Sequence, residues 1–281
     1  MSGRIPPSQL LQVWGWGLRL GAATLRVAPG LGVKRLLLPV SYWRTVEFAY
    51  VARQLRGIRA GACLLDLGSP KELAAALVRR WHWKVHATDI LPEAVTQGET
   101  YGRGLPRLPW RDMLVAEIQD GRELKYPPES FDGAYSVSVL EHIPDKGDSV
   151  ALRELIRVVR PGAPVVITVP YARTYGETFV ARNVYERSRE GNELVFFERH
   201  YDEKALQERL LSIPGVEVVD VSLWGESWLR MERFLEQIGR LRSLLAPFEP
   251  MLAALCLRQL DGREGGVPMA AFITLRKLPQ R

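Results

Sequence analysis

The feature that most constrains this chain is an alternation of short apolar runs with amphipathic helical patterns between residues 62 and 169. Ala62 to Leu67, Trp83 to Thr88, Met113 to Ile118, Phe131 to Val139 and Pro164 to Val169 read as strands. Lys71 to Arg80 and Asp148 to Val159 read as helices, the second with Val150, Leu152, Leu155, Ile156 and Val159 on its inner face. Strands separated by helices of this length pair in parallel, and right-handed crossovers then cover both faces of the sheet. The Pro- and Gly-rich stretch from Gln97 to Trp110 has no periodicity that assigns it.

The flanks differ. Gln9 to Val27 places Leu10, Val13, Trp14, Leu18, Ala22 and Leu25 near helical spacing. Ser41 to Leu55 is a second helical pattern, with Glu47 interrupting the apolar face made by Trp43, Val46, Tyr50 and Val51. Beyond the fifth strand, Tyr171 to Tyr201 is aromatic and charged, with a turn signal at Glu190-Gly191-Asn192 between two hairpin strands. Asp202 suits the N-cap of a helix over Glu203 to Ser212. Val216 to Leu223 reads as a sixth strand, Glu226 to Leu260 as a helical region broken at Pro247 and Pro250, and Met269 to Leu275 as a seventh strand. The organisation expected is an N-terminal helical extension over 1–58 and a main α/β domain over 59–281. Within that domain, 171–201 is lid-like and 226–262 is a helical cap.

Composition sets limits. With 281 residues, 47% of them hydrophobic, the chain can bury one large core, and 25% charged residues exclude wholesale disorder. The net charge of +6 is spread along the sequence without a basic run, which leaves no nucleic-acid footprint. Cys63 and Cys256 make neither a disulfide framework nor a metal-ligand spacing. Residues 10–40 are apolar but too interrupted by Arg, Lys, Gly and Pro to span a bilayer, and Met1 to Pro6 does not open a secretory signal. A cytoplasmic protein is expected, with contact to the inner face of a membrane left open.

Chemistry collects at the strand ends. Asp66-Leu67-Gly68-Ser69-Pro70-Lys71 closes the first strand, Asp89-Ile90 the second and Asp120-Gly121 the third. A nucleotide-like ligand on an open parallel sheet binds beyond those ends. Gly68 lets backbone approach a ligand closely, and a carboxylate at Asp89 can accept both hydroxyls of a ribose. Each acid alone reads equally well as a solvated loop residue. Their order and spacing, followed by Leu140-Glu141-His142-Ile143 and Arg160-Pro161-Gly162, make a joint signal.

On those residues, Leu64 to Tyr171 resembles the core of the class I S-adenosylmethionine (SAM) methyltransferases, type 11 subgroup, with a weaker likeness from Phe197 to Lys277. The resemblance implies a Rossmann-like, seven-stranded, mostly parallel sheet with helices on both faces and an antiparallel last strand. It implies SAM as cofactor, held by Asp66, Gly68, Ser69, Pro70, Asp89, Ile90, Asp120, Gly121 and Ser136. In that arrangement Gly68 lies under the methionine part, Asp89 holds the ribose and Asp120 the adenine. The family's first motif carries more glycines than this chain, where Ser69, Pro70 and Glu72 follow Gly68. Proline removes an amide donor, yet it suits the first turn of a helix. The Gly-x-Gly-x-x-Gly of a nicotinamide-binding domain is absent.

Methyl transfer mainly requires the nucleophile to be aligned with the sulfonium methyl. Should an oxygen acceptor need a base, His142 after the fourth strand is the candidate, and His200 beside the lid is a second. His82 and His86 read as packing or surface residues. Tyr171, Tyr175, Phe179, Tyr185, Phe196 and Phe197 either cover a substrate or pack the lid on the sheet. Trp228, Met231, Phe234, Leu235, Ile238, Leu241 and Leu245, interspersed with arginines, either pack a cap on the domain or lie in a membrane interface, as does the 8–40 region. Two functions follow. One is a SAM-dependent methyltransferase acting on a small-molecule or lipid- or glycan-linked acceptor, at oxygen. The other is a non-catalytic methyltransferase-like module that binds a membrane surface or a partner.

Overall fold

In the computed structural model, which describes residues 5–105, 109–181, 194–226, 230–260 and 266–279, the apolar runs become strands β1 (Cys63–Leu67), β2 (Lys84–Asp89), β3 (Leu114–Ile118), β4 (Gly133–Val137) and β5 (Pro164–Pro170). β6 (Gly176–Val180) and β7 (Val195–His200) form a separate antiparallel hairpin. β8 (Val216–Glu226), β9 (Leu257–Leu260) and β10 (Val267–Lys277) complete the main sheet, in the order β3-β2-β1-β4-β5-β10-β8-β9. β1 to β5 are mutually parallel, β10 runs antiparallel to β5 and β8, and β9 antiparallel to β8.

Side chains alternate across the sheet, and the two faces bury different helices. Leu64, Val85 and Val166 share one apolar cluster with α1 (Pro7–Thr24), α3 (Tyr42–Leu55) and α4 (Lys71–Trp81). α2 (Pro29–Leu37) packs on α1, and α5 (Pro92–Gly104) precedes the single turn α6 (Trp110–Met113). Leu65, Leu67, Val165 and Ile167 face α7 (Gly147–Val158) and α8 (Glu203–Leu206) across the opposite layer. The N-terminal helices thus share a core with the sheet. Trp83 shows what that core contributes: fully buried, it stacks on Trp81 at 5.0 Å and donates from Nε1 to the Arg59 carbonyl at 2.9 Å. Truncating such a tryptophan to alanine costs about 3–5 kcal/mol.

Three features differ from the sequence reading. All seven expected strands are present, the last antiparallel, and β9 adds an eighth from residues read as helix. α11 (Glu249–Cys256) stops at Cys256, and Leu257 to Leu260 then pair with Leu223 to Glu226 and cover the edge of β8. Four residues are too few for periodicity to separate strand from helix. α5 runs through the unassigned glycine-rich stretch because packing offsets the propensity cost of glycine; a Cβ on Gly98 would come within 3.2 Å of Ala116. The region read as helical breaks at Gly239 (φ +52°), between α9 (Met231–Gln237) and α10 (Arg242–Leu245), and at Pro247 as expected. Pro250 does not break it: it stands in the first turn of α11, where its missing N–H is not needed. Asp202 caps α8 as expected, accepting from the Ala205 amide at 2.8 Å. The Glu190-Gly191-Asn192 turn, Tyr185 and Trp228 lie outside the described residues.

The order places β1 beside both β2 and β4, so the chain leaves the centre of the sheet toward one edge and later toward the other. Such a reversal opens a crevice at the carboxyl ends of the central strands.

Candidate functional site

A cavity of about 450 Å³ occupies that crevice. Gly68, Ser69, Pro70, Asp89, Ile90, Asp120, Gly121 and His142 all line it, from four separate strand ends. Asp66 and Ser136 lie beneath rather than in it. Asp66 is fully buried and accepts from the Ser69 amide at 3.1 Å, while the Ser136 hydroxyl donates to the Leu67 carbonyl at 2.9 Å. Only the carboxyl end of a strand opens on the crevice, so the wall position belongs to Ser138, two residues further on.

The loop after β1 is fixed by its own atoms. Gly68 has φ of +67°, and a Cβ there would stand 2.6 Å from Val139 Cγ1, so a side chain would be strained and would push Val139 aside. The Ser69 hydroxyl accepts from the Val137 amide at 3.0 Å and staples the loop to β4. Pro70 stands at the N-cap of α4, where its missing N–H is not needed, and the crevice remains open.

Lys71 follows, and its ammonium is almost wholly buried. It donates to the carbonyls of Ser69 and Thr88, both at 2.9 Å, and pairs with Asp89 at 3.1 Å and Asp66 at 3.9 Å. Burial pushes the Asp66 carboxyl up to about 6, against the pull of Lys71. Asp89 Oδ1 accepts from the Leu91 amide at 3.0 Å. Each carboxylate oxygen has two acceptor directions, so Asp89 keeps capacity toward the cavity despite both contacts. Glu72, the next residue, pairs with Arg35 of α2 at 3.0 Å, and Arg35 also donates to the Tyr101 hydroxyl at 2.8 Å. α2 is therefore tied to the first turn of α4, directly after the Gly68 loop.

On the far side, Asp120 is partly exposed and receives two nitrogens of Arg122, Nη2 at 2.6 Å and Nε at 3.0 Å. Hydrogen bonding from that guanidinium holds its carboxyl below the usual range.

The end of the cavity toward β4 is built partly by α3. Glu47, fully buried, accepts from Ser138 Oγ at 2.8 Å, Thr168 Oγ1 at 2.7 Å and Arg44 Nη1 at 2.6 Å. Arg44 lines the cavity and also donates to Ser138 Oγ at 2.7 Å. These bonds hold Ser138 at φ +51°, a left-handed conformation of the kind that concentrates at functional sites. His142 Nδ1 meets the Phe197 carbonyl at 2.8 Å, which makes Nδ1 the donor and Nε2 the basic nitrogen. Burial pulls its pKa down, so the ring is neutral near pH 7. Glu141, buried beside it, is pushed up to about 8 by burial.

Among the lid aromatics in the described residues, Phe196 reaches the cavity, whereas Tyr201 is buried in the core and donates to Asp148 at 2.8 Å. His200 pairs opposite Gly176 in the hairpin, and His86 packs at 5.4 Å from both Tyr126 and Phe131; neither lines the cavity. Arg44, Glu47 and Lys71 were absent from the residues expected at the site. The signals for them were a charge interrupting an otherwise apolar helix face and a lysine directly after the glycine loop. No group of His, Cys, Asp and Glu suited to a metal occurs among the described residues.

Comparison with known proteins agrees with this geometry. Residues 65–167 match the family model described as a methyltransferase domain. The 27-O-demethylrifamycin SV methyltransferase of Amycolatopsis mediterranei (strain S699) is 28% identical over 114 residues, 39% of this chain and 39% of that protein. The likeness therefore spans well under two thirds of that relative's length. Among solved structures, the [4+2]-cyclase SpnF superposes with a TM-score of 0.55 at 19% identity, over 85% of this chain and 82% of that one. Coclaurine N-methyltransferase bound to N-methylheliamine and SAH gives 0.54 at 13% identity, over 83% and 72%. At such identities the superpositions speak to the fold.

Proposed function

We propose that the chain, whose residues 65–167 match a methyltransferase domain, is a class I methyltransferase of the type 11 kind that transfers a methyl group from SAM to a small-molecule or lipid- or glycan-linked acceptor, at oxygen. The carrying observation is convergence: Gly68, Asp89, Asp120 and His142, from the ends of β1, β2, β3 and β4, line one cavity at the reversal of strand order. The sulfonium of SAM supplies an electrophilic methyl group when bound. The residues present fit that cofactor. Asp89 offers carboxylate lone pairs to a ribose diol, the Gly68 loop leaves room where a side chain would collide, and Asp120 and Gly121 border the space for a base. Asp66, Ser69 and Pro70 shape the loop, Ile90 forms a wall, and Ser136 supports the loop from below.

Catalysis rests mainly on positioning. Arg44 and Ser138, fixed by the buried Glu47, define the acceptor end of the cavity. His142 takes the acceptor proton at Nε2 while the Phe197 carbonyl holds its tautomer. Because folds of this type host more than one chemistry, the test must read the product. Formation of S-adenosylhomocysteine is measured with pools of small hydroxylated compounds and of lipid extract. Acceptor-dependent product is expected, and His142→Asn is expected to lower kcat by about 10²–10⁴ with cofactor affinity unchanged. Product formation by neither pool, with a folded protein that binds no cofactor, would favour the non-catalytic module.

A further inference from the structure

We propose that α1 and the segment from Gly239 to Leu257 form a single docking surface for an anionic membrane. Segments more than two hundred residues apart meet there: Trp14 Nε1 of α1 donates to the Ala246 carbonyl at 3.1 Å, and α1 packs along α11. Past Glu249 every residue of α11 is apolar. Its Ala253 and Cys256 face the core, while Met251 and Leu255 are 52% and 66% exposed. Leu244 (70%) and Phe248 (52%) extend that exposed face, and Leu11 (54%) adds to it from α1. Isolated exposed apolar residues need no explanation, but five of them on elements that pack together are more than scatter.

Charge decides the occupant. The first 46 residues contain six basic residues and no acidic one. Of these, Arg35 is engaged by Glu72 and Arg44 by Glu47, and Arg19, Arg26 and Lys34 are exposed. From Gly239 to Leu260 the lone acid is Glu249, which is fully buried against Arg242 at 2.8 Å, while Arg240 is exposed. The acids of α9, Glu232 and Glu236, precede this segment. Apolar side chains seated at the acyl boundary with cations among headgroups suit an anionic bilayer. A second copy of the chain on the same face would set arginine against arginine. No helix among the described residues is long and apolar enough to cross a membrane, so the contact is with its surface.

The surface and the candidate site share α3, which packs on both α1 and α11 and carries the cavity-lining Arg44. α3, which carries Arg44, begins at Tyr42, whose hydroxyl donates to Glu226 at the start of the cap at 3.1 Å. A bilayer-borne acceptor would approach from this side. That consequence rests on the proposed methyl transfer, whereas the docking does not.

The test is co-sedimentation of the full chain with vesicles of phosphatidylcholine alone and of phosphatidylcholine with phosphatidylglycerol. Leu244→Ser/Phe248→Ser and Arg240→Glu are compared with the unaltered protein, circular dichroism with a thermal melt serves as the control for folding, and S-adenosylhomocysteine binding is read separately. None of these residues lines the cavity. Salt-sensitive binding to the anionic vesicles is expected, reduced about tenfold or more by the double variant and about fivefold by Arg240→Glu. No binding by the folded protein would overturn the proposal. So would a monomer–dimer equilibrium in sedimentation velocity that the double variant abolishes, which would assign the face to a second copy. Vesicle binding without S-adenosylhomocysteine binding would leave the docking intact and remove the methyltransferase reading.

Discussion

Asp89 and Asp120 border the same cavity but are held in opposite ways. Asp89 is nearly buried, with its partner Lys71 sealed beneath it and satisfied by two carbonyls. Asp120 is about one-third exposed and pairs with an Arg122 that is more exposed still. The first carboxylate is preorganised, so little ordering remains when a ligand arrives. The second works in a screened environment, where an ion pair is worth about 0–1 kcal/mol. Affinity at this site should therefore be concentrated at the β2 end.

The sharpest break of that asymmetry is Asp89→Ala. It removes the proposed ribose acceptor and leaves the buried Lys71 ammonium with two carbonyls and only the more distant Asp66 carboxylate, so cofactor affinity is expected to fall by about 10²-fold or more. Stability should fall with it by about 3–5 kcal/mol, read by urea unfolding. Lys71→Met comes next. Asp89 remains but loses its anchor, and a roughly tenfold weaker dissociation constant with a lower Tm is the expected outcome by calorimetry. An unchanged affinity would show that Lys71 merely fills space.

Glu141 extends the comparison to a buried carboxyl that has no such ammonium. With its folded pKa near 8 and an ordinary value of 4.5, it stays protonated in the folded chain while the unfolded chain ionises. Stability from this group is thus full below about pH 4.5 and is lost as pH rises to about 8. Glu141→Gln is expected to flatten stability against pH across that window, measured by urea unfolding at successive pH values. The smallest effect belongs to Asp120→Asn, expected to change affinity no more than about fivefold and stability within about 1 kcal/mol. A loss matching that of Asp89→Ala would erase the asymmetry.

How much of this was legible in the sequence follows the same division. The strand alternation from Cys63 to Pro170 was readable because each apolar run is bounded by a turn residue and each face is buried. Asp89 and Asp120 were readable because strand ends fix their place. β9 was not, since four residues carry no period. Ser138 displaced Ser136 because which of two serines on the same face reaches a crevice depends on where the strand stops. Glu47 looked like a flaw in an apolar face, yet Ser138, just past β4, and Thr168 of β5 satisfy it, partners about 90 and 120 positions away. Lys71 looked like a departure from a glycine loop. Its purpose appears only when Thr88 and Asp89 are brought beside it.

The most direct test of the account is calorimetric titration of the full chain with SAM and S-adenosylhomocysteine, alongside Asp89→Ala and Asp120→Asn. Micromolar binding of both ligands is expected, lost in Asp89→Ala and largely kept in Asp120→Asn. A folded, unaltered protein that binds neither ligand would contradict it.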